Sequence, residues 1–127
     1  MVKTNKIIGQ ISDEILEKYK ICMFRNTQII QPSGLYKHIS KHIDEFENIE
    51  TYNYVVSNLS WIISCPDFVY YELPRNSLLY FKTLTESVCV VVKLNLIKNK
   101  YAYVASVYPV SKRKIERMKE KSYIINN

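Results

Sequence analysis

The chain has 127 residues, of which 47% are apolar and only two are glycine. That is enough for one buried core, too little for two ordinary domains, and too apolar for a disordered chain, so a single domain over residues 1–127 is expected. The formal net charge is +6, and it is not spread evenly: residues 1–97 carry ten Lys/Arg and ten Asp/Glu, whereas residues 98–127 carry eight Lys/Arg against Glu116 and Glu120 alone. A localised positive field suits a polyanion, either nucleic acid or an anionic surface, and its bland alternative is a solvated, lysine-rich helix.

From the N-terminus, no apolar stretch follows Met1–Lys6, so no secretory leader is expected. The apolar run Val88–Val92 ends at Lys93 and is too short for a bilayer. A cytoplasmic protein without membrane association is therefore expected. Its cysteines, Cys22, Cys65 and Cys89, lack knuckle or redox spacing and read as reduced, buried thiols; no metal and no cofactor are expected.

Lys6 to Ile11 is a short strand candidate. Ser12 then reads as the cap of a helix that turns Ile15, Leu16 and Tyr19 inward, with Asp13 and Glu14 in its first turn. Thr27 to Gln31 is a second brief strand candidate, closed by Pro32-Ser33-Gly34. Leu35, Ile39, Ile43 and Phe46 recur at helical spacing through about residue 47. Another helix starts at Glu50-Thr51, buries Tyr52, Val55, Val56, Leu59, Ile62 and Ile63, and stops at Cys65-Pro66-Asp67.

The period then changes to two. Strands are predicted at Phe68–Leu73, Leu78–Leu84, Ser87–Leu94 and Tyr101–Val110, with connections short enough for an antiparallel meander. Ser111 caps a last helix to about Lys121. The expected fold is α+β: N-terminal helices packed on one face of a four-stranded antiparallel sheet, with a basic C-terminal helix.

The two histidines, His38 and His42, stand four apart and flank the apolar stripe of their predicted helix, while Lys41 points away from it. A histidine so placed suits proton transfer near neutral pH; the alternative is one half-buried packing residue and one surface residue. A metalloprotease pairing would need a Glu after the first histidine, where Ile39 stands. Ser106 and Tyr108 share one face of the last strand and offer two hydroxyls to a phosphate, or are simply good strand residues. On the last helix Arg113, Lys114, Arg117 and Lys121 fall within an arc of roughly 100°, a face that can hold phosphates without reading sequence.

The segments Ile29-Ile30-Gln31-Pro32-Ser33-Gly34-Leu35-Tyr36-Lys37-His38-Ile39-Ser40-Lys41-His42, Ile62-Ile63-Ser64-Cys65-Pro66-Asp67 and Ala105-Ser106-Val107-Tyr108-Pro109, the last before a Lys/Arg-rich helix, resemble phage-encoded nuclease domains grouped with barnase, EndoU, colicin and RelE-like toxins. The resemblance covers about residues 28–120. It implies a helix pair before a four-stranded antiparallel sheet, and metal-independent endoribonuclease activity in which a 2′-hydroxyl attacks the adjacent phosphate. It also implies His38 or His42 as the acid/base residue, Ser106 and Tyr108 as hydrogen-bond donors to the phosphate or leaving group, and Lys41 and Arg113 as phosphate cations. RNA is the expected partner, with an acidic antitoxin or immunity protein as a further one.

Two other readings accept the same residues. One is a non-catalytic nucleic-acid-binding module, or a phage anti-defence protein that blocks a nucleic-acid-handling complex. The other is a plain protein-interaction domain with a basic surface.

Overall fold

A computed structural model describes residues 6–21, 27–94 and 101–124. Cys22, and Lys98 and Lys100 of the basic tail, lie outside the described residues. The chain begins with β1 (Lys6–Gln10), α1 (Asp13–Lys18) and β2 (Gln28–Gln31). Ser12 caps α1 as its sequence predicts, accepting from the Ile15 amide at 3.2 Å, and Ile15 and Leu16 are buried. Tyr19 follows and donates its hydroxyl to the Val69 carbonyl, tying this helix to a distant strand.

Next come α2 (Leu35–Ile39), a 3-10 turn (Ser40–Glu45), α3 (Ile49–Ser57) and α4 (Leu59–Ser64). The apolar period predicts two helices here, and each is divided. The first tightens into 3-10 geometry after Ile39, where the Ser40 hydroxyl bonds the Lys37 carbonyl at 2.9 Å and competes locally with the helix. The second breaks at Asn58, whose side chain donates to the Tyr54 carbonyl at 2.7 Å and whose φ of −132° is not helical. The apolar stripe survives both interruptions: Leu35, Ile39, Tyr52, Val55, Leu59, Ile62 and Ile63 all join one core.

The rest of the chain is β3 (Phe68–Glu72), a 3-10 turn (Leu73–Arg75), β4 (Ser77–Thr83), β5 (Ser87–Leu94), β6 (Tyr101–Val110), α5 (Lys112–Lys121) and β7 (Tyr123–Ile124). Asn76 closes the β3–β4 turn in the left-handed region (φ 49°) and donates to the Leu94 carbonyl at 2.7 Å.

The expected four-stranded antiparallel sheet needs correction. Among the described residues seven strands form one sheet, ordered β1-β2-β6-β5-β4-β3-β7, and it is mixed because β2 runs parallel to β6. The expected meander is present as the contiguous block β6-β5-β4-β3. The two N-terminal strand candidates extend it past β6, and the two-residue β7 adds an edge on β3. Periodicity marks these short segments as strands but cannot tell which neighbour they pair with.

The sheet has two covered faces. One carries the main core, where Val69, Leu78, Tyr80, Val88, Val90, Val92, Val104 and Val107 meet the buried faces of α1 to α4. The other carries a smaller cluster of Phe68, Leu79, Phe81 and Cys89, against which Tyr108, Val110 and the Ile115 and Met118 side chains of α5 pack.

Candidate functional site

A bulge in β6 decides which way its hydroxyls point. Val91 pairs with Ser106, but the next residue, Val92, pairs with Val104, so Ala105 is left over. An unbroken strand would put Val104, Ser106 and Tyr108 on one face. The extra residue resets the alternation. Ala102 and Val104 therefore face the helix layer, whereas Tyr108 packs with the smaller cluster, and Ser106 lies with it opposite the like-facing Val91. Ser106 and Tyr108 do share a face, and it is the one that α5 covers.

Tyr108 lies directly across from Cys89 in the sheet, on the same face. Burial holds the Tyr108 hydroxyl well above its ordinary range; Cys89 and the Glu72 carboxylate add to this, and Arg75 opposes it. The phenol is therefore protonated at neutral pH and suited to donate rather than to act as a base. Burial also pushes the Cys89 thiol up to about 12, with Tyr108 and Lys114 acting the other way, so this cysteine is no nucleophile at neutral pH.

Helix α5 reaches this face because its sequence is amphipathic in a narrow way. Ser111 accepts from the Lys114 amide at 3.2 Å and starts it, and Ile115 and Met118 are half-buried against the sheet. Lys114 flanks that stripe, and its ammonium lies 5.4 Å from the Tyr108 ring centroid. Arg113, Arg117 and Lys121 are exposed. The predicted cationic face thus has one member directly on the sheet and three in solvent beside it.

The histidines belong to the opposite layer. His38 is in α2 and His42 in the 3-10 turn, so they do not share one regular helix, yet their ring centroids are 6.3 Å apart, edge to face. His38 is exposed; His42 is half-exposed and its Nδ1 pairs with the Glu45 carboxylate. Lys41 is exposed in the same turn. The stripe residues Leu35 and Ile39 carry this segment onto β6, which β2 accompanies only along Tyr101–Tyr103. The site residues thus form two groups: His38, His42 and Glu45 on the helix layer, and Ser106, Tyr108, Lys114 and Cys89 on the α5 face.

Sequence reading missed Glu72 and Arg75. They pair at 3.5 Å across the β3–β4 turn, and both act on the Tyr108 hydroxyl. Neither has a motif around it; only the strand register, which carries β3 alongside β4 and so toward β6, could have found them. On the helix side, Trp61 is partly exposed, with Lys82 4.6 Å from its ring centroid and Tyr54 packed edge to face against it.

Among the described residues, no group of three His, Cys, Asp or Glu side chains is placed to hold a metal ion, and no helix is long and apolar enough to cross a membrane. The family model described as phage-Barnase-EndoU-ColicinE5/D-RelE like nuclease3 matches residues 5–117. No curated protein and no solved structure matches the chain.

Proposed function

The chain belongs to this phage-Barnase-EndoU-ColicinE5/D-RelE like nuclease family, and we propose that it acts as one domain that cleaves RNA without a metal ion. In the proposed step the 2′-oxygen attacks the adjacent phosphorus and gives up its proton to a base. The bond from phosphorus to the 5′-oxygen breaks as an acid protonates that oxygen, leaving a 2′,3′-cyclic phosphate and a 5′-hydroxyl. His38 or His42 is the proposed acid/base residue. Ser106 and Tyr108, from the other face, donate to the phosphate or leaving oxygen where the RNA strand passes the edge of β6 that β2 does not cover beyond Tyr103. Lys114, with Arg113, Arg117 and Lys121, stabilises the charge that gathers on phosphorus, and Lys41 adds a cation from the histidine side.

The observation that carries this reading is the placement of the Lys114 ammonium on the Tyr108 ring. It puts a cation beside a protonated phenol, on a strand face that a bulge has turned toward the basic helix. An acidic antitoxin or immunity protein is a proposed partner, because it would complement the charge of α5. A cytoplasmic site of action, where RNA is the abundant polyanion, goes with this reading.

A non-catalytic nucleic-acid binder, or an anti-defence protein that blocks a nucleic-acid-handling complex, is a second reading. One observation favours it: the histidines are on helix-layer elements, whereas Ser106 and Tyr108 face the other way. Labelled RNA incubated with the protein and a chelator separates the two. The nuclease reading expects cleavage that His38→Ala or His42→Ala lowers by about 10²-fold or more. Salt-sensitive binding with the RNA left intact supports the binder instead.

A further inference from the structure

Four rows of side chains cross the face that α5 partly covers, and the strand register fixes each. Phe68, Phe81, Cys89 and Tyr108 form the row beneath α5; Tyr70, Leu79, Val91 and Ser106 form the next. The third consists of Glu72, Ser77, Lys93 and Tyr103. A fourth, Thr83, Ser87 and Val110, closes the other end.

The third row differs in chemistry from the others. Lys93 alternates with Cys89 and Val91 and so faces this side, and Tyr103 lies directly across from it. Arg75 joins from the β3–β4 turn: its guanidinium is 3.5 Å from Glu72, and the Ser77 hydroxyl bonds its carbonyl at 3.0 Å. Lys93, Tyr103 and Tyr70 are each half-exposed. The Arg75 side chain is 75% exposed, so its pairing with Glu72 contributes little to stability and a phosphate can replace it.

Three residues of β5 lie between Cys89 and Lys93, so four steps of ~3.3 Å put their backbones about 13 Å apart. That spacing along the floor suits two positions along one strand of nucleic acid. The Tyr70 ring lies in the row between them and the Tyr103 ring beside Lys93, and rings stack on unpaired bases rather than on paired ones.

We propose that Arg75 and Lys93, with the rings of Tyr70 and Tyr103, form a second subsite that holds a flanking nucleotide of single-stranded RNA, across the sheet from the Lys114–Tyr108 contact. This rests on the nuclease reading above and names the form of its substrate. It makes the face a groove with cations on two sides, α5 on one and the β3–β4 turn with β5 on the other.

The test is fluorescence anisotropy with uncleavable 2′-O-methyl oligoribonucleotides, a short one of about two nucleotides, whose single internucleotide phosphate cannot occupy both positions, and a longer one of about twelve. Wild type is compared with the double variant Arg75→Gln, Lys93→Gln, which keeps most of both side-chain stems. The variant is expected to bind the longer single strand about 10-fold more weakly, and to bind the short one as wild type does. Two lost phosphate contacts should flatten the log–log salt slope by about 1.4. Equal weakening of both lengths, or no change for either, overturns the subsite. So does wild-type binding of a duplex as tight as that of the single strand. If wild type binds neither strand at low salt, the nuclease reading itself fails, and that result is distinct from the others. Thermal melting of the variant shows whether its fold is intact, and each single variant repeats the test should the pair melt early.

Discussion

Lys114 holds its ammonium 5.4 Å from the centroid of the Tyr108 ring, and this contact joins the basic helix to the strand face that the bulge at Ala105 has turned outward. If its role is to meet a phosphate, its charge should matter more to RNA than to the fold. Lys114→Met keeps most of the stem and loses the charge. It is expected to weaken RNA binding 3- to 10-fold and to flatten the log–log salt slope by ~0.7, while stability falls by less than about 1 kcal/mol. Anisotropy titrations across salt and a urea melt measure the two quantities. A loss of several kcal/mol with an unchanged slope would make Lys114 a structural residue.

Tyr80 is fully buried in the main core, and its hydroxyl has no hydrogen-bond partner among the described residues. A buried hydroxyl without a partner has lost its water and gained nothing in exchange. Tyr80→Phe should therefore stabilise the protein by about 1 kcal/mol, or at worst leave it unchanged. Urea midpoints at constant slope give the value, and a loss above about 1 kcal/mol would reveal a partner for this hydroxyl.

Cys89 is fully buried, and its thiol is raised from an ordinary 9.0 to about 12. The folded state thus binds this proton more tightly than the unfolded one does. The resulting stability is complete below about pH 9 and is lost as pH rises from there towards 12. The Cys89→Ala variant should lose less stability across that window than wild type does, as urea melts at stepped pH would show. At pH 8 a thiol reagent followed by peptide mass mapping should label the half-exposed Cys65 well before Cys89. Equal labelling of the two would mean that the α5 face opens readily.

Gly9 is in β1, where its register with β2 shifts, and a Cβ there would come within 3.0 Å of Ile63 Cγ2. Ile63 is a β-branched residue on α4 and is nearly fully buried, so it has little room to give way. Gly9→Ala is expected to destabilise by about 1–2 kcal/mol, read from thermal or urea melts. Restoration of stability in Gly9→Ala, Ile63→Leu, where the second change removes the β-branch that carries Cγ2, would tie the effect to this contact, and its absence would place the strain elsewhere.

Much of the frame was legible in the sequence. Ser12 and Ser111 cap the helices expected of them, and the antiparallel block begins and ends within a residue or two of its predicted bounds. These signals are local: a hydroxyl beside a free amide, and a period of two. The sheet order was not legible, because the β2–β6 pairing joins segments about seventy residues apart and leaves no mark on either. The same holds for the site. The cationic face of α5 follows from helical spacing alone, but Ala105 gives no sign in sequence that it will bulge, and the bulge decides where Ser106 and Tyr108 point. A period that tolerates both α and 3-10 geometry puts His38 and His42 on one helix, whereas the chain changes from one geometry to the other between them. Glu72 and Lys93 come into one row only through register, and Arg75 joins them from the turn, so no motif announces them.

Cleavage of RNA by its own 2′-hydroxyl leaves a signature on the ends of the products. Single-stranded RNA is incubated with the full chain in the presence of a chelator, and the product termini are identified by mass spectrometry. The expected products carry 2′,3′-cyclic phosphate and 5′-hydroxyl ends, and the same strand made as DNA stays intact. Products with 3′-hydroxyl and 5′-phosphate ends, cleavage of the DNA strand, or RNA left intact would contradict cleavage by the 2′-hydroxyl.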